Sequence, residues 1–168
     1  MKPVGVIVAQ LTPRAWRQSE QGQREINKAR SLLMQSGIES VQINENCFEQ
    51  GRLPDIYPSH GLLSAIHAAA FFDPERHVMM VAADMPLITT DMLRWLMATG
   101  SNHHCSCHFR SSSLPLYFHN DDFSRDYLEQ LLSNGEPVKD DLRGLSCIEL
   151  VAPYESHLTR LNLSRSAE

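Results

Sequence analysis

Two stretches of the chain carry apolar residues without polar alternation: Val4–Ala9 near the start, and the run His77-Val78-Met79-Met80-Val81-Ala82-Ala83 that ends in Asp84. Runs of this kind suit strands covered on both faces in a parallel sheet. Pro86 follows the second run, and proline cannot donate to a ladder, so pairing is expected to stop near Asp84. Helical spacing marks Ile26, Ala29, Leu32 and Leu33, with Gly37 as the stop. It marks Gly61–Phe72, with Leu62, Leu63, Ile66, Ala69 and Ala70 on the buried side and Asp73-Pro74 closing it. Met92, Leu93, Leu96 and Met97 predict a further helix, capped from Thr89-Thr90-Asp91 and ended by Gly100. A last helix spans Asp122–Ser133 and ends at Asn134-Gly135.

The remaining segments supply strands and loops. Ile38–Ile43 alternates and predicts a strand, as do Cys105–Phe109, Leu114–Phe118 (these two around the turn Arg110–Ser113) and Ser146–Val151. Gln10–Gln23, with Pro13 and Gly22 among polar residues, reads as a loop leading into a helix, and a compact loop follows through Gly51, Pro54 and Pro58. Strand, loop and helix thus repeat. The expected fold is a three-layer, Rossmann-like α/β arrangement with a mostly parallel sheet, right-handed crossovers and a less regular C-terminal half. At 168 residues, without repeats or a linker, the chain is expected to form one domain over residues 1–168.

Charge narrows the function. The net charge is -5 and the cations are scattered, so nucleic acid is not an expected partner. The start does not resemble a signal peptide and no stretch is long enough to span a bilayer, so a cytoplasmic protein without membrane contact is expected. The four cysteines, Cys47, Cys105, Cys107 and Cys147, are expected as reduced thiols.

In open α/β sheets ligands bind at the carboxyl ends of the strands, which makes Asp84 the first candidate. Its carboxylate suits Mg²⁺, which takes one or two protein carboxylates plus substrate phosphates; the alternative is a turn or helix cap. Asp55 and Gly61 form a second group, the glycine opening a helix whose first amides suit an anionic ligand and the aspartate suiting base or ribose donors. Their alternative roles are a loop aspartate and a turn glycine. Asn44 and Asn46, where the Ile38–Ile43 strand gives way to a loop, offer amides at the same edge, or cap the turn. His103, His104, Cys105, Cys107 and His108 crowd five potential zinc ligands into six residues, but strand alternation would send them to opposite faces. No G-x-S-x-G motif marks a hydrolase nucleophile.

From Val78 to Leu87 the apolar strand followed by Asp-Met-Pro resembles the molybdenum cofactor guanylyltransferases (MobA), nucleotidyltransferases with the nucleotide-diphospho-sugar transferase fold. Asp55 to Ile66 is similar to that family's aspartate followed by G-P-L-A-G-I, with the glycine at the helix start kept as Gly61. Leu114-Pro115-Leu116-Tyr117 is similar to its P-L-x-x-L-Y strand, Leu131–Gly135 to its helix-ending L-x-x-G, and Leu161-Asn162-Leu163 to its N-x-N-T-P. The resemblance implies transfer of GMP from GTP to molybdopterin with release of pyrophosphate. It implies Asp84 on Mg²⁺, Asp55 and Asn46 on the nucleoside, and Asn162 toward the second substrate. A molybdoenzyme or another protein of cofactor biosynthesis is the kind of protein partner implied.

The first loop departs from the family. A glycine-rich L-A-G-G-x-S-x-R-M-G-x-x-K signature is expected there, and this chain has Val8-Ala9-Gln10-Leu11-Thr12-Pro13-Arg14-Ala15-Trp16-Arg17. Without glycines the backbone approaches phosphate less closely, and Pro13 removes a donor. Arg14, Arg17 and Lys28 are the cations available to replace the missing lysine, and Arg160 stands where the C-terminal motif has its first asparagine. This departure leaves a second reading open: a divergent, non-catalytic member that binds a nucleotide, the cofactor or a partner protein.

Overall fold

A computed structural model of the protein describes residues 2–134 and 142–163. In chain order its elements are β1 (Val4–Val8), α1 (Arg14–Gln18), α2 (Glu20–Gln35), β2 (Val41–Asn44), β3 (Arg52–Leu53), α3 (Gly61–Phe72), β4 (Val78–Ala82), α4 (Thr90–His103), β5 (Cys107–Phe109), β6 (Ser112–Phe118), α5 (Asp122–Ser133) and β7 (Ile148–Leu150), with 3₁₀ turns at Arg143–Leu145 and Glu155–Leu158. The two apolar runs become β1 and β4, and every residue of both strands is buried. They pair in parallel at full length, Val4 against Val78 and Val8 against Ala82. The sheet is seven-stranded in the order β3-β2-β1-β4-β6-β5-β7. Among the described strands only β6 opposes the rest, antiparallel to both β4 and β5. Helix α2 packs on α4 and α3 packs on α5. Because β1 and β4 are buried on both faces, the sheet is the middle of three layers, as the apolar runs predict.

Several boundaries differ from expectation, each for a local reason. Gln10–Gln23 is not one loop: α1 occupies Arg14–Gln18, and α2 starts at Glu20 with the Ser19 hydroxyl accepting from the Gly22 amide at 3.1 Å. Gly22 is not a breaker but a crossing point, since a Cβ there would stand 1.8 Å from the Trp16 carbonyl oxygen. Gly100 does not end α4, which runs to His103 and stops where His104 turns left-handed. A Cβ on Gly100 would stand 2.2 Å from Cδ1 of Tyr117, so this glycine exists for close packing of helix on strand.

The second strand begins at Val41, not Ile38, because Ile38 closes α2. Its amide donates to the Leu33 carbonyl at 3.2 Å and the Gly37 amide to that of Met34 at 3.1 Å, a left-handed helix stop at Gly37 with Ile38 buried beyond it. The loop of Gly51 and Pro54 contains β3, paired parallel with β2. In the C-terminal half the strands start later or earlier than their apolar runs, at Cys107, Ser112 and Ile148. Gly135, expected to follow the end of α5, lies outside the described residues.

Candidate active site

The parallel strands β1, β2 and β4 release their chains at one edge of the sheet, and each release is a different local structure. After β1 the chain folds onto itself. The Ala9 and Gln10 amides both donate to the Asn44 carbonyl, at 3.1 and 3.0 Å, and the Thr12 amide and hydroxyl both donate to the Ala9 carbonyl, at 3.0 and 2.6 Å. Pro13 has no amide to offer. Arg17, on α1, turns inward: its Nη1 donates to the Ala9 carbonyl at 3.2 Å and to that of Thr12, and its Nε donates to Glu45 at 3.2 Å. Glu45 also pairs with Arg52 at 3.1 Å. Arg17 is therefore a buried brace for the turn and not a replacement for a phosphate-binding lysine. Its distance of 28 residues from Glu45 left no mark in the sequence.

At the end of β2, Asn44 is wholly buried. Its Nδ2 donates to the Leu53 carbonyl at 3.0 Å and to Asp55 Oδ1 at 2.8 Å, which fixes the amide's orientation. The Asp55 amide donates to Asn46 Oδ1 at 3.1 Å, and the Asn46 amide to Gln10 Oε1 at 2.8 Å. Burial pushes the Asp55 carboxyl above the ordinary range, and the hydrogen bond from Asn44 pulls the other way. Asn46 and Asp55 thus form one network that reaches the first loop through Gln10. Gly61 opens α3 with φ +59, a left-handed turn that a side chain rarely adopts. Behind it Ser64 accepts from the His60 amide at 3.0 Å and donates to the Tyr57 carbonyl at 2.5 Å.

Past β4, Asp84 caps no helix; α4 is capped by Thr89, whose hydroxyl accepts from the Met92 amide at 3.2 Å. The C-terminal segment crosses this point instead. The Leu161 amide donates to the Asp84 carbonyl at 2.8 Å, and Arg160 Nη1 stands 3.7 Å from Asp84 Oδ1. Asp84 and Asn162 share a cavity of about 260 Å³ with Leu11, Thr12, Pro13, Leu161 and Leu163. Asp55, Asn46 and Gly61 lie outside that lining, so the predicted residues fall into two groups joined by the first loop. Lys28 is elsewhere, at an apolar groove between α2 and Val81–Ile88, and Arg14 is exposed on α1. Arg160 is the neighbour of Asp84 that composition alone hides; its one signal is that it stands in place of an asparagine of the resembled motif.

The His and Cys cluster is dispersed. His103 caps a turn of α4 through the Thr99 carbonyl (2.9 Å), His104 is the helix terminus, and His108 Nδ1 contacts the Phe109 and Ser112 carbonyls at 2.7 and 3.1 Å. All four cysteines are free, and burial pushes the Cys107 and Cys147 thiols up to about 11 and about 12. Among the described residues no three His, Cys, Asp or Glu side chains converge as a metal-binding group. A lone, largely buried carboxylate such as Asp84 fits Mg²⁺, which fills its shell with water and phosphate oxygens, and does not fit zinc. No helix among the described residues is long and apolar enough to cross a membrane.

The three parallel strands thus bring an aspartate and two asparagines to one edge of the sheet. The chain belongs to the MobA-like NTP transferase domain family, which it matches over residues 20–145. That match begins after the first loop and ends before β7. Solved structures agree in fold: a protein of Aquifex aeolicus is 13% identical with TM-score 0.73, covering 96% of this chain and 94% of that one. The 2-C-methyl-D-erythritol 4-phosphate cytidylyltransferase of Thermus thermophilus is 9% identical with TM-score 0.61, covering 99% and 96%. A hypothetical transferase, also from Thermus thermophilus, is 14% identical with TM-score 0.56 and covers 100% of both chains. Comparison with curated protein sequences yields no match. Nucleotidyl transfer is the class of chemistry that family and fold together support.

Proposed function

We propose that the protein is a cytoplasmic nucleotidyltransferase of molybdenum cofactor biosynthesis, joining GMP from GTP to molybdopterin and releasing pyrophosphate. The observation that carries this reading is the carboxylate of Asp84, lining one cavity with Asn162 beside the ends of β1 and β4 in a chain of the MobA-like family. In-line attack by the acceptor's terminal phosphate on the α-phosphorus of GTP asks for positioning and charge neutralisation more than for an acid or base. Mg²⁺ held by Asp84 would supply that neutralisation as a Lewis acid. Asp55 and Asn46, tied to each other and to Asn44, orient the nucleoside, and their shared hydrogen bonds hold them for that task. Gly61 lets the chain turn into α3, whose first amides suit an anionic group. Asn162 serves the second substrate, and a molybdoenzyme or another cofactor-biosynthesis protein receives the product.

Calorimetry with GTP and Mg²⁺, beside pyrophosphate release with molybdopterin, tests this reading. GTP binding with pyrophosphate release only in the presence of molybdopterin is expected; binding unaltered by Asp84→Ala would remove the metal role. One observation favours the second reading, a non-catalytic binding member: the Ala9, Gln10 and Thr12 amides are bonded within the protein and Pro13 has none, which leaves the first loop few donors for a phosphate. GTP binding without pyrophosphate release, or no GTP binding at all, would decide for that member.

A further inference from the structure

We propose that Arg160 is the resident counter-ion of Asp84, displaced by a divalent cation that arrives with a nucleoside triphosphate, and that its guanidinium then binds that nucleotide's phosphates. The proposal rests on the nucleotidyltransferase reading. Three features of the pair carry it. The first is asymmetry: the Asp84 side chain is 12% exposed and that of Arg160 is 43% exposed, so the carboxylate is fixed and the guanidinium has room to swing. The second is distance, since 3.7 Å is an ion pair without a hydrogen bond, weak and readily exchanged in water. The third is the anchor: the Leu161 amide on the Asp84 carbonyl at 2.8 Å keeps the segment in place whichever partner Arg160 takes.

The rest of the site leaves a demand for positive charge that this residue meets. The first loop's amides at Ala9, Gln10 and Thr12 are bonded internally, and Arg17 is buried on that loop's own carbonyls. A polyphosphate beside Thr12 and Asp84 therefore needs a cation from elsewhere, and Arg160 precedes the lining residue Leu161. Its planar fork matches two phosphate oxygens. A divalent cation alone must compete with the guanidinium for Asp84, whereas cation and triphosphate together give each charge a partner. Binding of the two is then positively coupled.

The test uses Mn²⁺ as the metal probe, followed by its electron paramagnetic resonance signal on the full chain. Arg160→Gln is expected to tighten binding of Mn²⁺ alone by about tenfold and to weaken binding of Mn²⁺ with GTP by about tenfold, while Asp84→Asn removes the tight class in both. Arg160→Lys, which keeps the charge without the fork, is expected to fall between. If Arg160→Gln leaves the affinity for Mn²⁺ alone unchanged while Asp84→Asn abolishes it, the counter-ion proposal fails and the metal reading stands. If Asp84→Asn also changes nothing, both fall.

Discussion

The turn after β1 and the turn after β4 leave the sheet as neighbours, yet one is closed and the other open. In the first, three amides and two carbonyls are bonded within the protein and the cation that serves them, Arg17, is buried. In the second, a largely buried carboxylate faces a half-exposed cation across 3.7 Å, with a cavity alongside. A site that binds charged ligands needs groups whose present partners are weaker than the ligand. By that measure Ala9–Pro13 is framework and the Asp84 side is where exchange is possible, although both occupy the sheet edge where ligands bind.

The strongest way to break this contrast is Asp84→Asn. In the proposed reaction, pyrophosphate release with GTP, Mg²⁺ and molybdopterin is expected to drop by about 10²–10³-fold, the scale of losing a charge-stabilising group, with little change in the urea midpoint. Arg17→Met is the converse. It leaves the Ala9 and Thr12 carbonyls and one side of Glu45 without their charged donor, and a loss of roughly 2–3 kcal/mol in urea unfolding is expected. A stability change under about 0.5 kcal/mol would show that the first turn is not the framework described here. Gly22→Ala strikes the same region through packing, because its Cβ would overlap the Trp16 carbonyl at 1.8 Å; a loss of roughly 1–3 kcal/mol is expected.

The smallest effect lies at the opposite edge of the sheet and serves as a control on both turns. His77 Nδ1 accepts from the Asn120 amide at 2.9 Å, and its ring stacks on His119 with centroids 4.4 Å apart. Burial, then the charge of His119, holds its pKa below the ordinary 6.5. The folded protein binds this proton less readily than the unfolded chain does, so as pH falls below about 6.5 the unfolded chain takes it up first. Stability contributed by His77 is present above that pH and is lost as pH falls toward its folded value. Thermal melts between pH 7.5 and 5 are expected to show a shallower decline for His77→Asn, which keeps an acceptor near the Nδ1 position; an unchanged slope would assign the acid sensitivity elsewhere.

Periodicity made the layers legible. Apolar runs without alternation pointed to doubly covered strands, helical spacing named α2, α3 and α4 from residues that are mostly buried, and the Asn134-Gly135 stop marked α5. Glycine was the least reliable guide. Gly37 and Gly61 hold positive φ and do end or begin helices, but Gly22 and Gly100 are helical residues whose missing side chains admit another backbone or ring. Sequence cannot separate a glycine chosen for its dihedral angles from one chosen for clearance, because the second depends on an element brought near only by folding. The late start of β2 has a similar cause, Ile38 being drawn under the end of α2.

The candidate site divides along the same line. That an aspartate would stand at the end of the central strand, with Asp55 and Asn46 on the neighbouring side, followed from residue order, since parallel strands deliver their carboxyl ends to one edge. What those residues touch did not. The pairing of Asp84 with Arg160 spans almost half of the chain, and the inward turn of Arg17 depends on Glu45 reaching it from beyond β2. The sequence by itself determined the two central strands, the four long helices, the sheet edge and the identity of its acids, but neither α1 nor β3, because the former depend on local spacing and on which surfaces must leave water. Only the tertiary structure decided which cation is locked and which can exchange, because long-range charge pairing is set by where the folded chain brings two side chains and how much water it leaves between them.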